Sequence, residues 1–225
     1  MSFYTSRKDK PEWLLREFPD IFKQARQVLD IGCDQKKIAS LLPAHISYTG
    51  LDIIPEADIQ WNLDSGVALP IKDKEYDLVL CLETLEHLEQ IHFIFDQLCR
   101  VGSRYILITL PNPISRIFFS YLLGRKCTKK EVEQRKFGAY MKFYGLPFDR
   151  PFDRHRWFFN TEESVSFVAY RAKLNGWKVR DIFYSLDTER GLKKYLKFLL
   201  AGFGKKRMYN FFNETTVFLL EKDVL

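Results

Sequence analysis

Five short runs limit the fold most: "VLDI" (28–31), "ISYTGLDI" (46–53), the weaker "DIQWNL" (58–63), "YDLVLCL" (76–82) and "RYILITL" (104–110). Successive side chains of a strand point to opposite faces, so strands this continuously apolar must be covered on both. Helical spacing fills the intervals. Residues 35–42 read as a helix stopped before Pro43, and residues 83–100 place Leu85, Leu88, Ile91, Phe95 and Leu98 on one side. Upstream, residues 11–27 carry Trp13, Leu14, Phe18, Ile21 and Phe22 at helical spacing broken by Pro19. Downstream, Asn160 followed by Glu163 has the pattern of a capping box and opens a helix through about Asn175. "GWKVRDIFY" (176–184) and "TTVFLLEKD" (215–223) read as two further strands. Such alternation predicts an α/β fold with a doubly wound, mostly parallel sheet.

The 225 residues suit one domain, 1–225, and 46% apolar residues suffice for a real core. After Pro113 the rhythm breaks, and residues 113–157 are too long for an ordinary loop; they read as an inserted lid or acceptor-binding segment after the fifth strand. This segment carries 11 Lys or Arg against 4 acids, a net of +7, which exceeds the +6 of the whole chain. It also interleaves aromatic residues, among them Phe118, Tyr121, Phe137, Tyr140, Phe143 and Tyr144. Basic and aromatic residues together suit nucleic acid, a lipid-linked or phosphorylated acceptor, or only the lid's own packing. A second block, 190–207, has seven basic residues and no acid. Within it "GLKKYLKFLLAGFGKKR" sets apolar residues against lysines, a pattern for an anionic membrane surface or for an amphipathic helix packed on the sheet. The four cysteines are widely spaced with no CxxC pair, so reduced thiols are expected and no metal site. No run of 18 apolar residues exists, and the N-terminus lacks the apolar core of a signal peptide. The expected location is cytoplasmic, with peripheral membrane contact as an extension.

In an open parallel sheet, ligands bind beyond the carboxyl ends of the strands. Asp30 and Gly32 follow the first strand; the glycine lets backbone pass close to a ligand. Asp52, followed by Ile53, ends the second, where a carboxylate can accept both hydroxyls of a ribose. Asn62 and Leu63 end the third, an amide and a backbone N–H suited to an adenine edge. Cys81, Leu82 and Glu83 end the fourth. Singly each is an ordinary turn or core residue; together they describe one wall.

At these residues the chain resembles a class I S-adenosylmethionine-dependent methyltransferase, closest to the MetW-like and type 11 groups. The resemblance rests on "VLDIGC" (28–33), "YTGLDI" (48–53), "IQWNLDSGVALPIKDKEYDLVLCLETLEHL" (59–88), "RVGSRYILITLPNP" (100–113) and "TTVFLLEK". It implies a Rossmann-like sheet of seven strands, the last antiparallel, and S-adenosylmethionine as cofactor. Asp30 would hold the cofactor's amino group, with Gly32 and Cys33 along its methionine portion. Asp52 and Ile53 would meet the ribose, Asn62 and Leu63 the adenine, and Cys81, through its backbone, and Leu82 the methionine end. Relatives carry D-x-G-x-G-x-G in the first loop; here it is Asp30, Gly32, Asp34 and Lys36. Many relatives also have Asp where Asn62 stands.

The implied activity is methyl transfer to an O or N of a small-molecule, lipid-linked or glycan acceptor. The alternatives are a methyltransferase-fold binding protein without catalysis, supported by the altered loop, and an RNA methyltransferase, supported by the charge. A hydroxyl acceptor needs a base, for which His155 in "FDRHRWFF" is the candidate; otherwise it packs beside Trp157 and Phe158. His87 in "TLEHL" is either near the site or structural.

Overall fold

The computed structural model describes residues 9–114, 155–188 and 204–222, together with residues 195, 197–199 and 202. Seven strands form one sheet: β1 Gln27–Ile31, β2 Ser47–Asp52, β3 Ile59–Gln60, β4 Tyr76–Leu82, β5 Gly102–Pro111, β6 Trp177–Tyr184 and β7 Thr215–Lys222. Their order is β3-β2-β1-β4-β5-β7-β6. All neighbours are parallel except β7, which runs antiparallel to both β5 and β6.

Period-two alternation divides the core in two. Leu29, Ile31, Val79, Cys81, Ile106 and Ile108 face one side, where they meet α3 (Ile91–Val101) and α4 (Thr161–Leu174) through Ile94, Phe95, Leu98, Val168 and Ala172. Val28, Leu78, Leu80, Tyr105 and Leu107 face the other, under α1 (Lys10–Glu17) and α2 (Pro19–Gln24), with Trp13, Leu14, Phe18 and Phe22. Pro19 separates those two helices by opening the second, where its missing N–H is not needed. The expected capping box is present: Asn160 accepts from the Glu163 N–H at 2.9 Å, and the Asn160 N–H reaches Glu163 at 2.8 Å. A fifth helix, α5 (Gly204–Phe212), packs Met208 and Tyr209 on Leu186.

Two expected helices are shorter or absent. Residues 35–42 form turns and one 3-10 turn, Ala39–Leu41, because Asp34 and Lys36 adopt left-handed φ of 44° and 51°. A right-handed helix cannot pass through such residues. Likewise α3 begins only at Ile91. Glu83 is left-handed at φ 53°, and the Thr84 hydroxyl donates back to the Ile31 and Leu82 carbonyls, so "ETLEH" folds as a turn before the helix. β3 spans only two of the six residues that the sequence pattern over 58–63 suggests. Of the expected lid, 115–154 lies outside the described residues, as does much of 190–207; Tyr195, Phe198 and Leu199 are helical and exposed.

Candidate functional site

The chain runs β1, β2, β3 outward in one direction, then returns to place β4 on β1's other side. At this switch the loops after β1 and β4 diverge and open a crevice at the strands' carboxyl ends. It holds a cavity of about 660 Å³, within the range for a small ligand. Asp30, Gly32, Cys33, Asp52, Ile53, Asn62, Leu63 and Leu82 all border it. Cys81 does not. It is fully buried among Ile31, Val79 and Ile108 and belongs to the core, because its side chain points away from the face that Leu80 and Leu82 share.

The loop after β1 is held by more than its glycine. Gly32 has φ 77°, and its N–H donates to the Leu51 carbonyl at 2.8 Å. A Cβ there would stand 2.2 Å from the Thr84 Oγ1. The absence of a side chain at Gly32 thus makes room for Thr84, which stitches β1 to β4 across the switch. Asp34 and Lys36 keep the left-handed backbone that glycine adopts most readily. The Asp34 N–H donates to Asp52 at 3.0 Å, and the Lys36 ammonium meets Asp58 at 2.6 Å. Asp58 also accepts the Gly50 N–H at 2.7 Å; the Lys36 bond first, and this one after it, hold its pKa below the ordinary value.

Asp30 lies under the cavity floor at 5% exposure and accepts the Tyr48 hydroxyl at 2.8 Å. Burial pushes its carboxyl up to about 6, against the pull of Tyr48 and Lys10 and with a push from Asp52. Burial likewise pushes the Cys33 thiol up to about 12, so it is no nucleophile at neutral pH. Asp52 accepts two N–H groups, from Asp34 and, at 2.6 Å, from Ile53. A carboxylate has about four acceptor positions, so capacity remains for hydroxyls. Ile53 is 60% exposed at the mouth. The Asn62 side-chain oxygen accepts the Asp64 N–H at 3.0 Å and caps the turn Leu63–Ser65, so its amide is anchored by the protein.

His155 stands one layer back. It is 5% exposed and borders no part of the cavity. Its ring meets that of His87 edge-to-face at 4.4 Å. His87 and Arg156 border the cavity instead. The strand-end pattern missed Lys10, which caps the crevice from α1 with its ammonium 3.0 Å from Glu83. It also missed Thr84, Asp58 and Arg156. Nothing in their local sequence marks them, since each acts through a partner distant in the chain.

Five carboxylates (Asp30, Asp34, Asp52, Asp64, Glu83) and three cations (Lys10, Lys37, Arg156) border the cavity. No helix begins at the loop after β1, so the dipole and free N–H groups that favour a phosphate are lacking there. The excess of acid, one member of it buried, favours a ligand that is cationic and carries hydroxyls.

The comparisons agree with this chemistry. The family described as "Methyltransferase domain" matches residues 5–167. A ubiquinone biosynthesis O-methyltransferase of Rickettsia bellii is 27% identical over 116 residues, covering 44% of this chain and 46% of that protein. The match thus spans about half the length of the curated relative. A SAM-dependent methyltransferase from Archaeoglobus fulgidus superposes with a TM-score of 0.59 at 16% identity, over 96% of this chain and 95% of that one. A structure described as a sarcosine dimethylglycine methyltransferase from Galdieria sulphuraria gives a TM-score of 0.55 at 16% identity, over 99% and 92%. The matched domain, the seven-stranded sheet and the acid-lined crevice at its switch point agree, and the chain belongs to the class I S-adenosylmethionine-dependent methyltransferase family.

Proposed function

We propose that the protein transfers a methyl group from S-adenosylmethionine to an oxygen of a small-molecule acceptor. One observation carries this: a cavity with Asp30 and Asp52 on two adjacent strand ends and an excess of carboxylates. When bound, the cofactor supplies an electrophilic methyl group on a cationic sulfur. Asp30 would receive the cofactor's amino group, whose charge relieves the burden of a buried carboxylate. Asp52 would accept the ribose hydroxyls through lone pairs that Asp34 and Ile53 leave open. The adenine would lie by Leu63 and the Asn62 amide. The wall after β4, with Glu83, His87 and Arg156, is left for the acceptor.

The match to an O-methyltransferase supports oxygen over nitrogen as the acceptor atom. Alignment of the reacting pair and removal of water supply the acceleration, up to roughly 7–11 kcal/mol in favourable cases. His155, behind His87, would act on the acceptor through its neighbour.

Calorimetric titration with S-adenosylhomocysteine, followed by transfer of labelled methyl to a panel of phenols and other small hydroxyl compounds, tests the reading. Saturable binding weakened in Asp52→Ala supports it. No heat at millimolar ligand with folded protein sinks it in favour of a non-catalytic role for the fold.

A further inference from the structure

Beside the cofactor crevice, the chain brings three metal-ligating side chains together from two separate segments. Glu86 and His87 sit in the turn Leu85–His87 after β4. His155 arrives from the segment before α4. That segment is pinned in place: the Arg156 and Trp157 N–H groups donate to the Glu86 carbonyl at 2.8 and 3.3 Å, and the Trp157 indole donates to the Leu88 carbonyl at 2.6 Å. One oxygen or nitrogen from each of Glu86, His87 and His155 lies within 4.8 Å of the other two. Glu86 is 1% exposed, and its Oε2 has no hydrogen-bond partner among the described residues. A buried carboxyl oxygen without a partner is costly, and a cation between it and two imidazoles would satisfy it.

We propose that Glu86, His87 and His155 form a binding site for a divalent cation of the zinc class, open toward the cavity on the side of His87. Two imidazole nitrogens and one carboxylate oxygen are the donor set of borderline transition ions, and three protein ligands leave a position open for an oxygen. Ligand atoms of a tetrahedral zinc site lie about 3.4 Å apart, given zinc–nitrogen distances of about 2.0–2.1 Å. The three groups therefore need to draw in by at most about 1.4 Å, and the Glu86–His87 pair, at 3.8 Å, by less. Cysteine spacing gave no reason to expect a metal, and these ligands contain no cysteine. The ion's role, though not its binding, rests on the transferase reading. There the open position faces the acceptor wall, and a hydroxyl held by the ion ionises more readily.

The test is a titration of the chelator-stripped full chain with Co²⁺, read by its visible d–d absorption, with S-adenosylhomocysteine affinity measured on the same samples. The expected result is one equivalent of Co²⁺, displaced by Zn²⁺. Glu86→Gln and His155→Ala should each weaken binding roughly tenfold or more, since changes even one shell further out cost about 10–100-fold. Glu86→Gln keeps the shape of a neutral carboxyl, and retained S-adenosylhomocysteine binding certifies its fold. Absence of a cobalt band, or a curve unchanged in both variants, overturns the metal site. If S-adenosylhomocysteine still binds, the transferase reading stands without the metal; if neither ligand binds wild-type protein, both fall.

Discussion

Asp30→Asn separates what the fold wants from what the site wants. The Asp30 carboxyl is raised from 3.8 to about 6, chiefly by burial. At about 1.4 kcal/mol per pH unit, a shift of about two units means that the ionised side chain destabilises the fold by about 3 kcal/mol at neutral pH. A carboxyl with a raised folded-state pKa binds more protons folded than unfolded, so stability falls as pH rises from about 4 to about 6 and stays reduced above. Asparagine carries no charge and still accepts the Tyr48 hydroxyl, which now stands 2.8 Å from the carboxylate. Its two N–H groups need partners, and a partial failure there costs about 1–2 kcal/mol. The net expectation is a gain of about 1–2 kcal/mol at about pH 7.5, or about 2–8 °C in Tm for a chain of this size. By about pH 4.5 the advantage shrinks by about 2 kcal/mol and vanishes or reverses, because the wild-type carboxyl is then mostly protonated. The same change removes the partner proposed for the cofactor's amino group, so S-adenosylhomocysteine affinity should fall by about 1.5–3 kcal/mol, the scale of a hydrogen bond to a charged group. Thermal unfolding at both pH values, with calorimetry at the higher, reads all three effects. A variant no more stable than wild type at about pH 7.5, or equally shifted at both, would refute the account of a buried carboxylate retained for binding.

Other substitutions probe the crevice separately. Asp52→Ala should weaken S-adenosylhomocysteine binding by roughly 1.5–3 kcal/mol, and unchanged affinity in calorimetry would mean the ribose lies elsewhere. Gly32→Ala meets Thr84 at 2.2 Å with φ 77°, and should cost more than about 2 kcal/mol of stability; adding Thr84→Ala should recover the steric part but not the roughly 1 kcal/mol of left-handed backbone, as urea unfolding would show. Asp34→Gly relieves a left-handed residue at φ 44° while its N–H can still reach Asp52, so stability should hold or rise by up to about 1 kcal/mol. Lys36→Gly should gain less, because it also drops the contact to Asp58, and a melting series in which it outperforms Asp34→Gly would contradict the role given to that ion pair.

The sheet was legible because its signal is local. "YDLVLCL" is a strand from Tyr76 to Leu82 by apolar continuity alone, and Asn160 with Glu163 caps its helix as spelled. The cavity-facing strand ends were legible for a related reason: topology places whatever follows a buried parallel strand at the carboxyl edge. Cys81 shows the limit of that rule. It lies one residue from Leu82, and strand alternation turns it into the core. The loops were less legible, since their conformation depends on distant partners. The pattern over 35–42 suits a helix, yet Lys36 is held left-handed beside Asp58, and Glu83 is held likewise beside Lys10. His155 meets His87 only because backbone N–H groups of Arg156 and Trp157 anchor on Glu86, a contact no spacing rule announces.

These distant partners explain how a loop without its second and third glycines keeps its shape. Among the described residues, four other than glycine have left-handed backbone: Asp34, Lys36, Lys74 and Glu83. Three of them flank the crevice, where a left-handed conformation costs about 1–2 kcal/mol each. Each of the three is tied at once to a neighbouring strand end or to α1. The Asp34 N–H goes to Asp52 at the end of β2, the Lys36 side chain to Asp58 before β3, and the Glu83 N–H to Thr109 in β5 at 3.1 Å, with Lys10 of α1 on its carboxylate. The strain is thus offset by bonds that join the strand ends to one another. A phosphate site could not be built this way, since it needs the loop's N–H groups for its ligand, whereas here one of them is given to Asp52. A cationic, hydroxyl-bearing ligand asks for carboxylates instead, and those are what the clipped loops present. Asp34 and Lys36 therefore change how the crevice is held together while leaving Asp30 and Asp52, the proposed cofactor contacts, at its border.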